Sequence, residues 1–259
     1  VGRCADQVLF PVGPSLSIPL CDLSISEAVG TLAEAIRSEV PRARPTTVGF
    51  LNMRNHVAAT ASPALSEAFS KIDYVFADGI GLQIGRMFLG LPRFQRVSGT
   101  DLVPALLNDV APMGCRVFLV GGTERLAKAA AARLPALFPG ITISGYQHGY
   151  FDRSAESRLL DQINASRSDL LLIGMGTPRQ ELWLLRNQAY LEVRLAACVG
   201  GLFHYWAGDL RRSPRILIRG GFEWAGILFQ QPHKWRIYTI DAARYLFSLV
   251  GKRGAQLVR

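Results

Sequence analysis

Short continuous apolar runs recur along the chain, separated by stretches in which apolar residues return every three or four positions. The runs are TTVGFL (46–51), YVFAD (74–78), CRVFLVGG (115–122), ITISGY (141–146), DLLLIGMG (169–176) and RLAACVGG (194–201). Each is rich in Val, Ile, Leu and Phe and does not alternate with polar residues. That pattern predicts strands buried on both faces of a parallel sheet. Helical periodicity fills the intervals near 24–39, 62–71, 99–111, 123–138, 153–167 and 178–191. Ser24 and Glu27 have the spacing of a capping box. Ser62-Pro63 puts proline at a first helical position. Strand and helix alternate, which predicts an α/β, Rossmann-like, mostly parallel sheet with helices on both faces. Functional groups in such folds gather at the C-terminal ends of the strands.

The alternation stops after Gly208. Residues 209–259 mix Trp, Phe, Ile and Leu with basic side chains, and they predict a C-terminal helical appendage to a catalytic unit spanning 1–208. Charge sharpens the boundary. The chain carries a net +9, of which this tail holds +7, from ten Lys/Arg against three acids. A basic aromatic segment on a near-neutral body suits an anionic partner: a lipid surface, phosphate groups or nucleic acid. The plainer alternative is a helical pair packed on the main sheet with solvated arginines.

Other classes are disfavoured. No run of about 18 uncharged apolar residues occurs, so no membrane-spanning helix is expected. No basic-then-apolar leader opens the sequence. Cys4, Cys21, Cys115 and Cys198 form no CxxC pair and read as separate buried thiols. The four histidines show no metal-ligand spacing, and no Asp-x-Asp pair of the kind that holds a metal on a nucleotide diphosphate appears. Walker and nucleophile-elbow motifs are missing, and GIGLQIG (79–85) is not a dinucleotide fingerprint.

The candidate chemistry sits at strand ends. Asn52 follows GFL. Asp78 follows YVFA and precedes Gly79. Gly121 and Gly122 follow FLV, and Gly174 and Gly176 follow LLI. Glycines there let backbone N–H groups and a helix N-terminus approach a diphosphate. Asp78 reads either as a general base beside glycines or as an ordinary Asp-Gly turn. Arg96 and Asp101, in RVSGTDL, read as a substrate clamp or a surface pair. In GMGTPRQELWL (174–184), Gln180 and Glu181 fall in the first turn of a helix, where they suit sugar hydroxyls or a uracil edge. The same residues also suit plain helix-start chemistry.

In order, Asn52, ADGIG (77–81), RVSGTDL (96–102), FLVGG (118–122), GYF (149–151), GMGTPRQELW (174–183), VGGLFHYWAG (199–208), RRSP (211–214) and FEW (222–224) resemble the WecG/TagA/CpsF glycosyltransferases. The resemblance runs from about Leu20 to Arg236. It implies an inverting transfer of a sugar from a UDP-sugar to a polyprenyl-diphosphate-linked acceptor. No metal and no other cofactor is implied. It places the protein peripherally on the anionic cytoplasmic face of a bacterial inner membrane, in exopolysaccharide, capsule or cell-wall polymer synthesis, with no nucleic-acid partner. By position, Asp78 is implied as the catalytic base, with Asn52, Arg96 and Gln180 as its companions. The appendage is implied to target the membrane and to bring arginines to the diphosphate. Candidates for that role are Arg212, Arg215, Lys234 and Arg236.

Two positions depart from the family pattern. Phe50 stands where the family often has Thr, which implies a different sugar or acceptor contact, and Ile227 where it usually has Arg, so the diphosphate clamp either uses other cations or is weaker. The donor stays open among N-acetylmannosamine, its uronic acid, glucuronic acid, glucose and galactose. Acceptor length and oligomeric state are not legible. A second class, a nucleotide-binding regulatory or nucleic-acid-binding module using the basic tail, is the alternative reading.

Overall fold

The computed structural model describes residues 4–12, 16–40, 42–219, 223–232 and 235–257. Its elements run β1 (Gln7–Pro11), β2 (Ser17–Cys21), α1 (Ile25–Arg37), β3 (Thr46–Leu51), α2 (Met53–Ala61), α3 (Pro63–Lys71), β4 (Tyr74–Ala77) and α4 (Ile80–Leu89). They continue with α5 (Gly99–Val110), β5 (Arg116–Gly121), α6 (Glu124–Leu137), β6 (Thr142–Gln147), α7 (Glu156–Ala165), β7 (Leu170–Gly174), α8 (Arg179–Asn187), β8 (Leu195–Cys198) and α9 (Leu202–Ala207). The C-terminal segment adds α10 (Arg215–Arg219), α11 (Glu223–Gln230) and α12 (Trp235–Leu257).

All six sequence-expected strands form, in a sheet ordered β1-β2-β4-β3-β8-β7-β5-β6. From β2 onward each pairing is parallel, and β1–β2 is an antiparallel hairpin at one edge. Every residue of β3, β4 and β8 is buried, as the unbroken apolar runs require, whereas β6 at the far edge is not. On one face lie Leu32 and Ile36 of α1, Leu106 and Leu107 of α5, Leu134 of α6 and Phe203 of α9. The other face is covered by Leu65 and Phe69 of α3, Leu82 of α4, Leu159 and Ile163 of α7, and Trp183 and Leu184 of α8. Each fully buried Leu or Phe contributes about 2 kcal/mol of transfer free energy.

Local chemistry sets the helix starts. The Ser24–Glu27 capping box is present on α1, Ser62 Oγ accepts from Leu65 N at α3, and Thr123 Oγ1 accepts from Leu126 N at α6. Below the sheet, Asp73 enters β4 and accepts from Arg44 Nη1 and Nη2, each at 2.7 Å, and from Thr47 N and Oγ1, each at 2.9 Å. That network ties the starts of β3 and β4 together.

The C-terminal segment returns to the body. Tyr245 and Leu249 of α12 are buried in the α3–α4 cluster, and Arg54 of α2 pairs with Asp241 at 3.4 Å. Tyr245 enters above Gly85, where a Cβ would fall 1.9 Å from its hydroxyl. The rest of this segment exposes Ile216, Trp224, Phe229, Trp235, Leu246 and Phe247. Among the described residues no helix is long and apolar enough to cross a membrane.

Candidate active site

The sheet order creates a switch point between β5 and β7. The chain leaving β5 passes through α6 to β6 on one side, and the chain leaving β7 passes through α8 to β8 on the other. Crevices open at such reversals, outside the carboxyl ends of the strands. A cleft of about 170 Å³ occupies this one, lined by Gly122, Tyr150, Gly176, Arg179, Gly201 and His204 among others. Gly121, at the end of β5, has φ +154°, and a Cβ there would lie 2.4 Å from the Gly174 carbonyl carbon. Only glycine lets the two strand ends approach this closely. Gly122 N then donates to Gly174 O at 3.1 Å, and Gly149 N to Gly122 O at 2.8 Å. The N-terminus of α6 rises directly from this turn. Tyr150 lies under the Arg179 guanidinium at 5.0 Å, a cation over a ring at the cleft rim.

Gln180 and Glu181 sit behind this cleft rather than on its surface, with only 4% and 1% of their area exposed. Gln180 Oε1 accepts from Gly176 N at 3.1 Å and from Gly200 N at 3.0 Å. Its Nε2 donates to Glu181 Oε1 at 2.8 Å, and Thr177 Oγ1 donates to the same oxygen at 2.9 Å. One amide therefore pins the loops leaving β7 and β8. Burial pushes the Glu181 carboxyl up, against the hydrogen bonds from Gln180 and Thr177.

A second group of residues assembles three strands away, about 14 Å at the usual interstrand spacing. Leu51 and Ala77 are register partners, so Asn52 and Asp78 leave adjacent strand ends. Asp78 N donates to Leu51 O at 2.8 Å, and Asn52 Oδ1 caps α2 by accepting from Asn55 N at 2.9 Å. Gly79 follows with φ +82°, which turns the chain sharply into α4. Val97 N donates to Ala77 O at 2.9 Å and brings Arg96 and the start of α5 alongside. Phe50, the departure noted from the sequence, is a core residue here. Its ring packs on Phe76 and against the backbone at Gly99, so its side chain does not reach the site.

The Asp78 carboxyl is half-buried at the surface but closely surrounded by protein atoms. Its pKa is pushed up to about 7, first by burial, then by the charge of Glu223; Arg96 pulls it down, and Asp101 adds a smaller push upward. Glu223 belongs to α11, so the C-terminal segment reaches this site. Arg96 Nη2 donates to Ile218 O at 3.1 Å, Arg212 pairs with Asp101, and Thr100 Oγ1 donates to Glu223 Oε1 at 3.4 Å. Among the described residues no cluster of three or more His, Cys, Asp or Glu side chains is arranged to hold a metal.

The sequence-expected residues thus fall into two neighbouring groups. Asn52, Gly79 and Arg96 gather beside Asp78, Arg212 pairs with the nearby Asp101, and Gly122 and Gly176 line the cleft, with Gly121 at the strand end just before it. The Arg215 and Arg236 side chains and all of Lys234 lie outside the described residues. Sequence reasoning gave no role to Thr100, Tyr150, Arg179 or Glu223. Ser98 Oγ bonds Asp101 Oδ2 at 2.8 Å, a local pattern that marks the start of α5. No such local signal ties Glu223 to it. A larger cavity, of about 890 Å³, lies among the ends of α1 and α8 and the turns entering β3 and β8, and holds none of these residues.

Comparison with known proteins identifies the family. The profile of the "Glycosyl transferase WecG/TagA/CpsF family" matches residues 14–257. The N-acetylglucosaminyldiphosphoundecaprenol N-acetyl-beta-D-mannosaminyltransferase of Bacillus spizizenii is 31% identical over 189 residues, covering 73% of this chain and 70% of the relative. The chain belongs to the WecG/TagA/CpsF family, and it is a glycosyltransferase.

Proposed function

We propose that the protein is an inverting, metal-independent transferase that moves a hexose derivative from a UDP-sugar to a polyprenyl-diphosphate-linked glycan. The observation that carries this reading is Asp78, a partly open carboxyl at a strand end whose pKa stands near 7. A general base works best when its pKa is close to the working pH. One Asp78 oxygen takes the proton of the acceptor hydroxyl. The hydroxyl oxygen bonds to the anomeric carbon from the face opposite the nucleotide. The bond from that carbon to the UDP oxygen breaks, and UDP leaves with the electron pair. Arg96, beside Asp78, is suited to the charge that develops on the leaving phosphate, and the glycine turn after β5 and the N-terminus of α6 are suited to the nucleotide end of the donor. The cleft beside Tyr150 and Arg179 suits the nucleotide.

The lipid-linked acceptor is supported by the printed activity of the relative, whose acceptor is an undecaprenol diphosphate carrying N-acetylglucosamine. Peripheral binding to the anionic cytoplasmic face of a bacterial inner membrane is supported by the exposed aromatics of the basic C-terminal segment.

The test is a mass-spectrometric screen of UDP-sugars, including UDP-N-acetylmannosamine, against a synthetic prenyl-diphosphate N-acetylglucosamine. A glycosylated lipid and an equal amount of UDP are expected with one donor class, with inverted anomeric configuration and undiminished yield in excess EDTA. Product of retained configuration, or no product with any donor, sinks the proposal.

A further inference from the structure

The C-terminal segment brings a carboxylate, not only cations, to the site. Glu223 opens α11, and its side chain is 18% exposed. Two groups hold its Oε1: Thr100 Oγ1 donates at 3.4 Å, and Arg212 Nε stands 4.0 Å away. Its backbone is held as well, since Ser213 Oγ donates to Glu223 O at 3.1 Å. Gly226 allows that close approach, because a Cβ there would lie 2.0 Å from Ser213 Oγ. Thr100 belongs to the first turn of α5, whose entry is hydrogen-bonded to the end of β4 one residue before Asp78. The anchoring of Glu223 and the placement of Asp78 therefore share one short stretch of backbone, residues 96–101.

We propose that Glu223 is a positioning residue for the base: anchored on Thr100 and Arg212, it fastens α11 to the 96–101 stretch that is hydrogen-bonded alongside Asp78, and so sets the charged surroundings of that group. This inference rests on the reading of Asp78 as the base. Among the described residues, the charged groups that face Asp78 are Glu223 from α11 and Arg96 and Asp101 from the 96–101 segment. Arg212 lies between Asp101 and Glu223, and the neutral Asn52 leaves the adjacent strand end, after β3. After burial, Glu223 is the largest influence on the acid, ahead of Arg96 and Asp101. A like charge disfavours the ionised carboxylate and so strengthens it as a proton acceptor. Arg96 opposes this, but it is itself tied to Ile218 O of the same segment. Withdrawal of the segment removes Glu223 and leaves Arg96 beside Asp78, which makes Asp78 a weaker base.

The test is carboxyl 13C NMR of the full chain labelled in aspartate, with the Asp78 resonance assigned by its loss in Asp78→Asn. The Asp78 midpoint is expected to move to lower pH in Glu223→Gln, by on the order of one unit. Glu223→Asp, which keeps the charge, is expected to stay nearer the wild type. Thr100→Val, which loosens the anchor without removing a charge, is expected to move part of the way. A midpoint unmoved in Glu223→Gln and Thr100→Val, or moved equally by Gln and Asp, overturns the proposal. Transfer by Asp78→Asn separates the two readings. Retained transfer rejects Asp78 as the base, whereas lost transfer with an unmoved midpoint rejects the role of Glu223 alone.

Discussion

Replacing Asp78 with Asn should damage transfer and stabilise the fold, and the second effect should depend on pH. The folded pKa of about 7 stands above the ordinary 3.8. Between those values the folded protein keeps a proton that the unfolded chain has lost, so stability falls as pH rises through the window and stays reduced above 7. Asn does not titrate, so its advantage over wild type should grow from pH 5 to pH 8. About two of the three units lie in that interval, which sets a ceiling of ~3 kcal/mol. The carboxyl keeps part of its surface in water, which reduces the expected gain to ~1–2 kcal/mol. For a chain of this size that corresponds to roughly 2–6 °C in Tm. Transfer should fall by about 10²–10⁴-fold, the usual contribution of a positioned base. Thermal melts at pH 5 and pH 8, run beside a UDP-release assay, check both. An equal Tm difference at the two pH values would mean that Asp78 ionises normally, and undiminished transfer would refute its role.

Gly85→Val should push α12 off the body, because a Cβ there overlaps the Tyr245 hydroxyl. Limited trypsin digestion should then cut within 209–259 while the preceding fragment persists; a Gly30→Ala control, with nothing within 4 Å of the new Cβ, should digest like wild type. Asp73→Asn breaks the buried bonds to Arg44 and Thr47 and should cost roughly 3 kcal/mol in urea unfolding. Arg44 and Thr47 hold the Asp73 pKa below its ordinary value against burial, so wild type should lose this contribution as pH falls through the lowered pKa, and the variant should not. Removing residues from 209 onward should abolish flotation with anionic vesicles, and unchanged flotation would reject membrane docking by this segment.

The parallel strands were legible because burial on both faces leaves an uninterrupted apolar run, and that signal survives without alternation. The β1–β2 hairpin was not legible: QVLFP and SIPLC are short, and each contains a proline, which fits only at a sheet edge. α2 was missed because MRNHVAATA has little apolar contrast between its faces, and Asn52 starts it as a cap, a role that also suits an active-site residue. In α4 the two glycines of IGLQIGRMFL weaken the helical pattern, yet Gly85 is there to admit Tyr245, 160 residues later. A close packing partner that distant leaves no local trace.

The same limit explains which parts of the site were visible. Asp78 and the glycines at Gly121 and Gly122 sit at strand ends, and strand ends can be read from periodicity. The bonding of Gln180 could not be read that way. Its amide satisfies Gly176 N and Gly200 N, which are adjacent only because β7 and β8 are paired. Glu223 is the more consequential case. In sequence it is one acid in a basic tail, and counting charge there points to an anionic partner. In the fold that acid faces Asp78, and two of the tail's nearby contacts, Arg212 with Asp101 and Ile218 with Arg96, hold the segment in place. The basic segment therefore has two electrostatic faces. Its exposed aromatics and cations suit a membrane, and its inward carboxylate suits a base that must stay protonatable near pH 7. Docking at the membrane and tuning of the base then depend on one structural element, so loss of that element should impair both in the same protein.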